Sequence, residues 1–459
     1  MVEAYLFFYA QLAEYFLGEE QPPPAGSVAL PFRLEECFTA LKNALQVVTI
    51  DLGETDDPQV IFETLNARGE PLLPADLLRN YIFLRAGRLG ENQEALYETY
   101  WKEFDDAFWR TEIRQGRLNR PRSDLFIQHF LASRTSADIS AKHLYVEYKH
   151  WIEKQQPFAT ISDELATLKR QRQDFRRIIA PNQEDPLFAL ATFLNTFEVS
   201  TVIPLLLSLL NSGIPDEQLA LTATHIESYL LRRAVCGLTT KNYNRIFLAL
   251  TKSAQGPGMS SDAVADSLMS LSGESSLWPS DEVFREAWRT SQVYQSANPA
   301  RSEFILRRLN DSLLTSKHEH ISVSNSLTIE HILPQSWIEH WPLPDGSLGL
   351  ESPELASIEV EDARSAATRR RNALLHTLGN LTLLTQPLNS ATRNSAWPVK
   401  QAAIQKHSLL PINLPLQQEE FWDEATIQRR SERLFRQAVE IWPRPAGKAG
   451  LSTKVLTTA

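Results

Sequence analysis

Between about residue 91 and residue 250 the large apolar side chains recur at helical spacing, and this pattern limits the fold more than any other feature. Trp101, Phe104 and Phe108 follow it, as do Leu125, Phe126 and Phe130, and then Leu144, Tyr148 and Trp151. Residues so spaced share one face of a helix, so the stretch predicts amphipathic helices packed on one another. "PLLLSLLNSG" and "ESYLLRRAVCGL" continue the pattern, without a fixed-period repeat.

Both flanks differ. The N-terminal "MVEAYLFFYAQLAEYFLGEE" has no basic region before its apolar residues, and Glu3, Glu14, Glu19 and Glu20 interrupt it. It reads as an amphipathic helix rather than a signal peptide or a membrane span. "QPPPAGS" ends that helix, and Val47, Val48 and Ile50 mark a strand that Gly53 stops. A helix, a turn at Asn66–Gly69 and a second helix follow, the last begun by Pro74 and closed by Gly87. Ser253–Ser276 is small, polar and Gly-containing, and reads as a surface insertion or flexible linker. From about Pro299 to Pro445 the pattern turns mixed, with its own strand signals. The expected organisation is residues 1–90 with a strand and helices, a helical body over 91–298, and a separate domain over 299–459.

The chain has 459 residues, 43% of them hydrophobic, which allows a buried core and more than one domain. Its two cysteines, Cys37 and Cys236, support neither a disulfide framework nor a Cys-based zinc site, and a reducing cytoplasm is expected. A formal net charge of -10 argues against a protein that coats nucleic acid non-specifically.

Chemistry concentrates in two stretches of the last domain. "LTIEHILPQSW" (Leu327–Trp337) sets Glu330 beside His331 in an apolar strand, with Pro334 following. About fifty residues later, "LGNLTLLTQPLNSATRN" (Leu378–Asn394) gives a turn at Gly379, then Asn380, a short strand, Pro387 at a helix start, and Asn389. An acid and a histidine thus lie on one strand, an asparagine opens a second, and another asparagine lies on the next turn or helix.

This order resembles the HNH (ββα-metal, His-Me finger) nucleases. The resemblance implies Glu330 and Asn389 as ligands of one Mg²⁺ or Mn²⁺ ion, His331 as general base, and Asn380 as the residue that orients His331. The chemistry is coherent in itself. Imidazole takes a proton near neutral pH, and carboxylate plus amide oxygen suits a hard cation that stabilises phosphate charge. Adjacent strand residues point to opposite faces, so Glu330 and His331 converge only where the strand ends, bulges or twists.

"IEHILPQ", "LGNLTLLTQPLN", Lys400 and "FWDEATIQRRSERLFRQAVEIW" resemble more closely the C-terminal domain of GmrSD-type modification-dependent restriction proteins, in which Glu-His replaces Asp-His. "IFETLNARGEPLLPADLLRNYIF" resembles the end of the ParB-like N-terminal half of those proteins. No DGQQR-like motif accompanies it, so NTP hydrolysis is not expected of this chain alone, and a second chain carrying the rest of that half is an expected partner. Asn66 and Arg68 belong to the "LNARG" element and read either as contacts to nucleotide or partner or as turn chemistry.

Ala363 to Gln418 contains no acid. With 56 acidic residues in 459 positions, about seven would fall in such a span. Arg369, Arg370, Arg371, Arg393 and Lys400 lie within it and are expected to contact DNA phosphates. A second basic run, "LKRQRQDFRR" (Leu168–Arg177), belongs to an expected helix. His340, His376 and His407 match no motif position and read as surface or packing residues. His318 and His320 are too few for a metal site. Arg232 and Arg233 read either as a buried network or as DNA contacts, and Trp422, Ile427 and Arg430 as a C-terminal helix packed on the hairpin.

The expected protein is mainly α, a helical body followed by a small α+β, ββα-metal nuclease domain. It would be a Mg²⁺- or Mn²⁺-dependent DNA endonuclease in the restriction of foreign or modified DNA, as in phage defence. The alternative is a non-catalytic DNA-sensing or adaptor subunit that docks a nucleotide-hydrolysing partner.

Overall fold

A computed structural model describes residues 2–17, 30–46, 73–115, 118–256, 259–296, 298–315 and 326–446. The chain divides into two units, Met1–Leu72 and Leu73–Ala459. In the first, α1 (Val2–Leu17) is the helix expected at the N-terminus, and α2 (Leu30–Asn43) follows. The strand expected around Val47, the Asn66–Gly69 turn with Arg68, and His318 and His320 lie outside the described residues.

The second unit opens with α3 (Pro74–Arg88), begun by Pro74 as expected; Asp124 Oδ1 accepts a hydrogen bond from Ala75 N at 3.0 Å and so caps its first turn. An antiparallel hairpin, β1 (Glu112–Gln115) and β2 (Leu118–Pro121), then interrupts the helical run expected over 91–250. Four residues per strand are too few to register against a helical background. Helices α4 (Arg122–Thr135), α5 (Leu144–Gln155), α6 (Ile161–Ile179), α7 (Phe188–Phe197), α8 (Ile203–Asn211), α9 (Asp216–Val235) and α10 (Tyr243–Ala254) complete the body. Buried Leu205, Leu206, Leu207 and Leu209 cover every side of α8, which packs on α4, α6 and α10 as the central helix.

The segment expected as a linker over 253–276 contains α11 (Ser261–Met269), packed on α9. Its small residues hid a short apolar face of Val264, Ala265 and Leu268, with Ser260 as N-cap. Arg232 and Arg233 are fully buried. Arg232 donates to Trp442 O at 2.9 Å and Asp281 Oδ1 at 2.6 Å, and Arg233 donates to Leu277 O and Thr239 O at 2.7 Å. They form a buried network, not a DNA surface.

The run 168–177 lies on α6, with its cations engaged: Arg172 pairs with Glu103, Arg177 with Asp185 and Asp216, Arg170 donates to Asn211, and Lys169 donates to Thr99 O.

The remaining elements are α12 (Asp281–Thr290), α13 (Pro299–Ser312), β3 (Leu327–His331), α14 (Ala363–Leu374), β4 (Leu381–Thr385), α15 (Gln386–Thr392), α16 (Trp397–His407) and α17 (Glu424–Ile441). Among the described residues the fold is mainly helical with two small antiparallel sheets. No described helix is long and apolar enough to cross a membrane. Strands β3 and β4 pair antiparallel, Glu330 opposite Thr382 and His331 opposite Leu381, and α15 follows β4 directly. Ile332, Leu333, Trp337, Leu384, Trp397 and Trp422 form part of the core beneath this hairpin.

Helix α17 fixes the hairpin from behind, as Ile427 and Arg430 led us to expect. Arg430 Nη1 donates to Leu378 O, Gly379 O and Leu381 O at 3.2, 2.9 and 2.7 Å. A Cβ on Gly379 would lie 2.5 Å from Ile427 O and 3.0 Å from Ser431 Cβ. Both are helix atoms that cannot yield locally. Gly379→Ala is therefore expected to cost about 1–3 kcal/mol of stability through overpacking. Thermal unfolding checks this, and an unchanged melting temperature would contradict the close approach of α17.

Candidate functional site

His331 ends β3. Pairing runs regularly up to it, and Ile332 N still donates to Asn380 O at 3.0 Å before the chain turns away. Its imidazole is 7% exposed. Nε2 shares a hydrogen bond of 3.0 Å with His376 Nδ1, and Nδ1 lies 3.5 Å from Gln335 Nε2. The Tyr294 ring meets it edge-on at 4.7 Å. Burial drives the imidazole pKa down to about 3, with His376 and Lys400 acting in the same direction. The ring is therefore neutral at physiological pH.

Glu330 is as buried as His331, but its carboxylate pairs with Lys400 of α16. The same ammonium donates to His331 O at 2.8 Å. The two neighbours on β3 thus engage different elements, Glu330 meeting α16 and His331 meeting Tyr294 and His376. Burial raises the Glu330 pKa against the pull of Lys400, and lowers that of Lys400 against the pull of Glu330.

Asn380 is fully buried, and its carboxamide makes no hydrogen bond to the His331 ring. Its Oδ1 accepts from Leu333 N at 2.8 Å and Trp422 Nε1 at 3.1 Å, and its Nδ2 donates to Leu333 O and Leu375 O at 2.9 Å. Any orientation of His331 by Asn380 therefore runs through the backbone that leaves β3. Asn389, on α15, donates through Nδ2 to Thr328 Oγ1 at 2.9 Å and Ile329 O at 3.0 Å. This holds it against the backbone immediately before Glu330, and its Oδ1 accepts no hydrogen bond among the described residues.

Among the described residues no group of three or more His, Cys, Asp or Glu is arranged to hold a metal. The donors at the hairpin are the Glu330 carboxylate and the Asn389 amide oxygen. Both are hard oxygens, and a cation that keeps several waters and takes phosphate oxygens needs few protein ligands. Both oxygens are of the type that Mg²⁺ or Mn²⁺ takes, and in the structure the Glu330 carboxylate is paired with the Lys400 ammonium.

The acid-free span divides into two sets. Lys400, expected on the DNA, is 1% exposed and bound to Glu330. Arg371, also expected there, is buried: it pairs with Glu424, donates to Trp341 O at 2.7 Å and Pro342 O at 3.0 Å, and lies over the Trp337 ring. A buried cation requires such partners, and neither residue faces solvent. Arg369 is exposed, donating to Leu355 O and lying 3.6 Å from Glu361. Arg370 and Arg393 are exposed and make no side-chain hydrogen bond or ion pair among the described residues. His376, read from sequence as a surface or packing residue, stands against His331.

Residues 278–437 match the family described as GmrSD restriction endonucleases, C-terminal domain. A comparison with curated proteins found no match. The matched span holds α12, α13, the whole β3–β4 hairpin, α15, α16 and most of α17. Through this span, about a third of the chain, the protein is similar to the C-terminal domain of GmrSD restriction endonucleases, a similarity that supports a GmrSD-type restriction protein with a restriction endonuclease type of nuclease domain.

Proposed function

We propose that the chain is a divalent-metal-dependent HNH endonuclease that hydrolyses DNA phosphodiester bonds in the restriction of foreign or modified DNA. The observation that carries this reading is the neutral, positioned imidazole of His331 at the end of β3, with Asn380 and Asn389 hydrogen-bonded to the same strand and the loop after it. The family match supports restriction and DNA as substrate.

His331 takes a proton from water as the water oxygen attacks phosphorus, and the bond to the leaving sugar oxygen breaks. The ring can accept that proton because burial keeps it unprotonated. Glu330 and Asn389 Oδ1 would hold the cation, which when bound would supply charge stabilisation to the phosphate and the leaving oxygen. Asn380 keeps the loop after His331 in place. Arg370 and Arg393, the exposed arginines of the acid-free span with no side-chain hydrogen bond or ion pair among the described residues, meet phosphates.

His331→Ala is expected to abolish nicking of supercoiled plasmid with Mg²⁺ or Mn²⁺ while far-UV circular dichroism stays unchanged. Full cleavage by that variant would refute the role of His331. Tight DNA binding by the wild type without cleavage in either metal would favour a non-catalytic DNA-sensing subunit.

The arginines give a second test. Arg370→Ala combined with Arg393→Ala should weaken DNA binding and lower the slope of log K against log[salt] by roughly 1–2. Arg371→Ala should instead lower the melting temperature, because it strips Glu424 of its partner. A large loss of salt dependence in Arg371→Ala with normal stability would reverse this division.

A further inference from the structure

The proposed chemistry assigns nothing to His376, yet this side chain is 7% exposed and its Nδ1 lies 3.0 Å from Nε2 of His331. Two neutral imidazoles in such contact must take complementary roles, one donating and one accepting. The other side of His331 decides which. The nitrogen nearest its Nδ1 is Gln335 Nε2, at 3.5 Å. An amide nitrogen only donates, so the ring nitrogen facing it presents a lone pair. The single ring proton of His331 then sits on Nε2 and is donated to His376 Nδ1, and the His376 proton sits on its Nε2.

The surroundings hold this pair. Tyr294 stacks on the His376 ring at 5.8 Å and 10° while meeting His331 edge-on, and Tyr294 N donates to His376 O at 3.4 Å. Asn380 bonds Leu333, two residues after His331, and Leu375, the residue before His376. One amide thus places the backbone of both histidines.

We infer that His376 is a positioning residue, whose Nδ1 accepts the Nε2 proton of His331 and so fixes the tautomer that offers Nδ1 of His331 to the attacking water. The inference rests on the reading of His331 as the base. Water gives one proton to His331 Nδ1 as its oxygen lone pair attacks phosphorus, and the bond from phosphorus to the sugar oxygen breaks, that oxygen leaving with the bonding pair and taking a proton from solvent; the imidazolium keeps its own Nε2 proton, hydrogen-bonded to His376 Nδ1.

The test compares the full-length chain with His376→Leu, which removes the acceptor, and His376→Asn, whose Oδ1 falls near the position of the lost ring nitrogen. Plasmid nicking with Mg²⁺ and ¹⁵N NMR of labelled histidines are both read, with His331→Ala assigning the His331 signal. The expected result is a wild-type His331 protonated on Nε2. His376→Leu should lower kcat roughly 100-fold with little change in KM, and His376→Asn should recover most of it. A wild-type His331 protonated on Nδ1, or His376→Leu with wild-type kcat, would overturn the inference. If His331→Ala still nicks DNA, the reading of the base fails instead. In a chain that does not nick at all, a His331 tautomer unchanged in His376→Leu overturns the inference and a lost one upholds it.

Discussion

The carboxamide of Asn380 is the interaction on which the rest of the site depends. It is fully buried, and both its oxygen and its nitrogen are used, on Leu333, Leu375 and Trp422. A buried amide with every group satisfied specifies one arrangement, whereas leaving any partner unpaired costs about 1–3 kcal/mol. Here that arrangement joins the loop after β3, the turn after α14, the start of β4 and the tryptophan before α17. The loop after β3 and the tryptophan before α17 lie more than forty residues from Asn380 in sequence. Arg430 adds a second tie, bonding the carbonyls on either side of Asn380.

Buried charge shapes the same region. A span without acids must find counter-charge elsewhere for any cation it buries, and it does so on β3 for Lys400 and on α17 for Arg371. These pairs bind distant segments together at a desolvation cost that only close pairing offsets. The compositional asymmetry is therefore partly architectural. Its remaining cations, Arg370 and Arg393 among them, are exposed.

Much of this was legible in sequence because periodicity reports burial. The helical body, α3 from Pro74, the strands around Glu330 and after Asn380, and the packing of Ile427 and Arg430 follow from apolar spacing and turn residues. The β1–β2 hairpin and α11 were not legible, since four-residue strands and a nine-residue helix of small side chains carry little pattern. Partner choice was the larger blind spot. Whether a cation faces solvent or a carboxylate seventy residues away depends on tertiary packing, so Lys400 and Arg371 read as surface residues. His376 was missed for the same reason, because a lone histidine between Leu375 and Thr377 does not announce what it meets.

Burial sets the chemical character of the site as well. It keeps His331 unprotonated, raises Glu330 and lowers Lys400, so that each ionisable group is pushed toward its neutral form. A base so strongly deprotonated is available but weak. On the proposed reading its strength depends on what enters beside it. A phosphodiester is anionic, and a negative charge close to an imidazole in a poorly solvated setting favours the protonated ring. Substrate would thus raise the proton affinity of His331 at the moment it is needed, while the vacant ring stays neutral. The same low polarity that costs stability at Glu330 and Lys400 would then tie base strength to the presence of DNA.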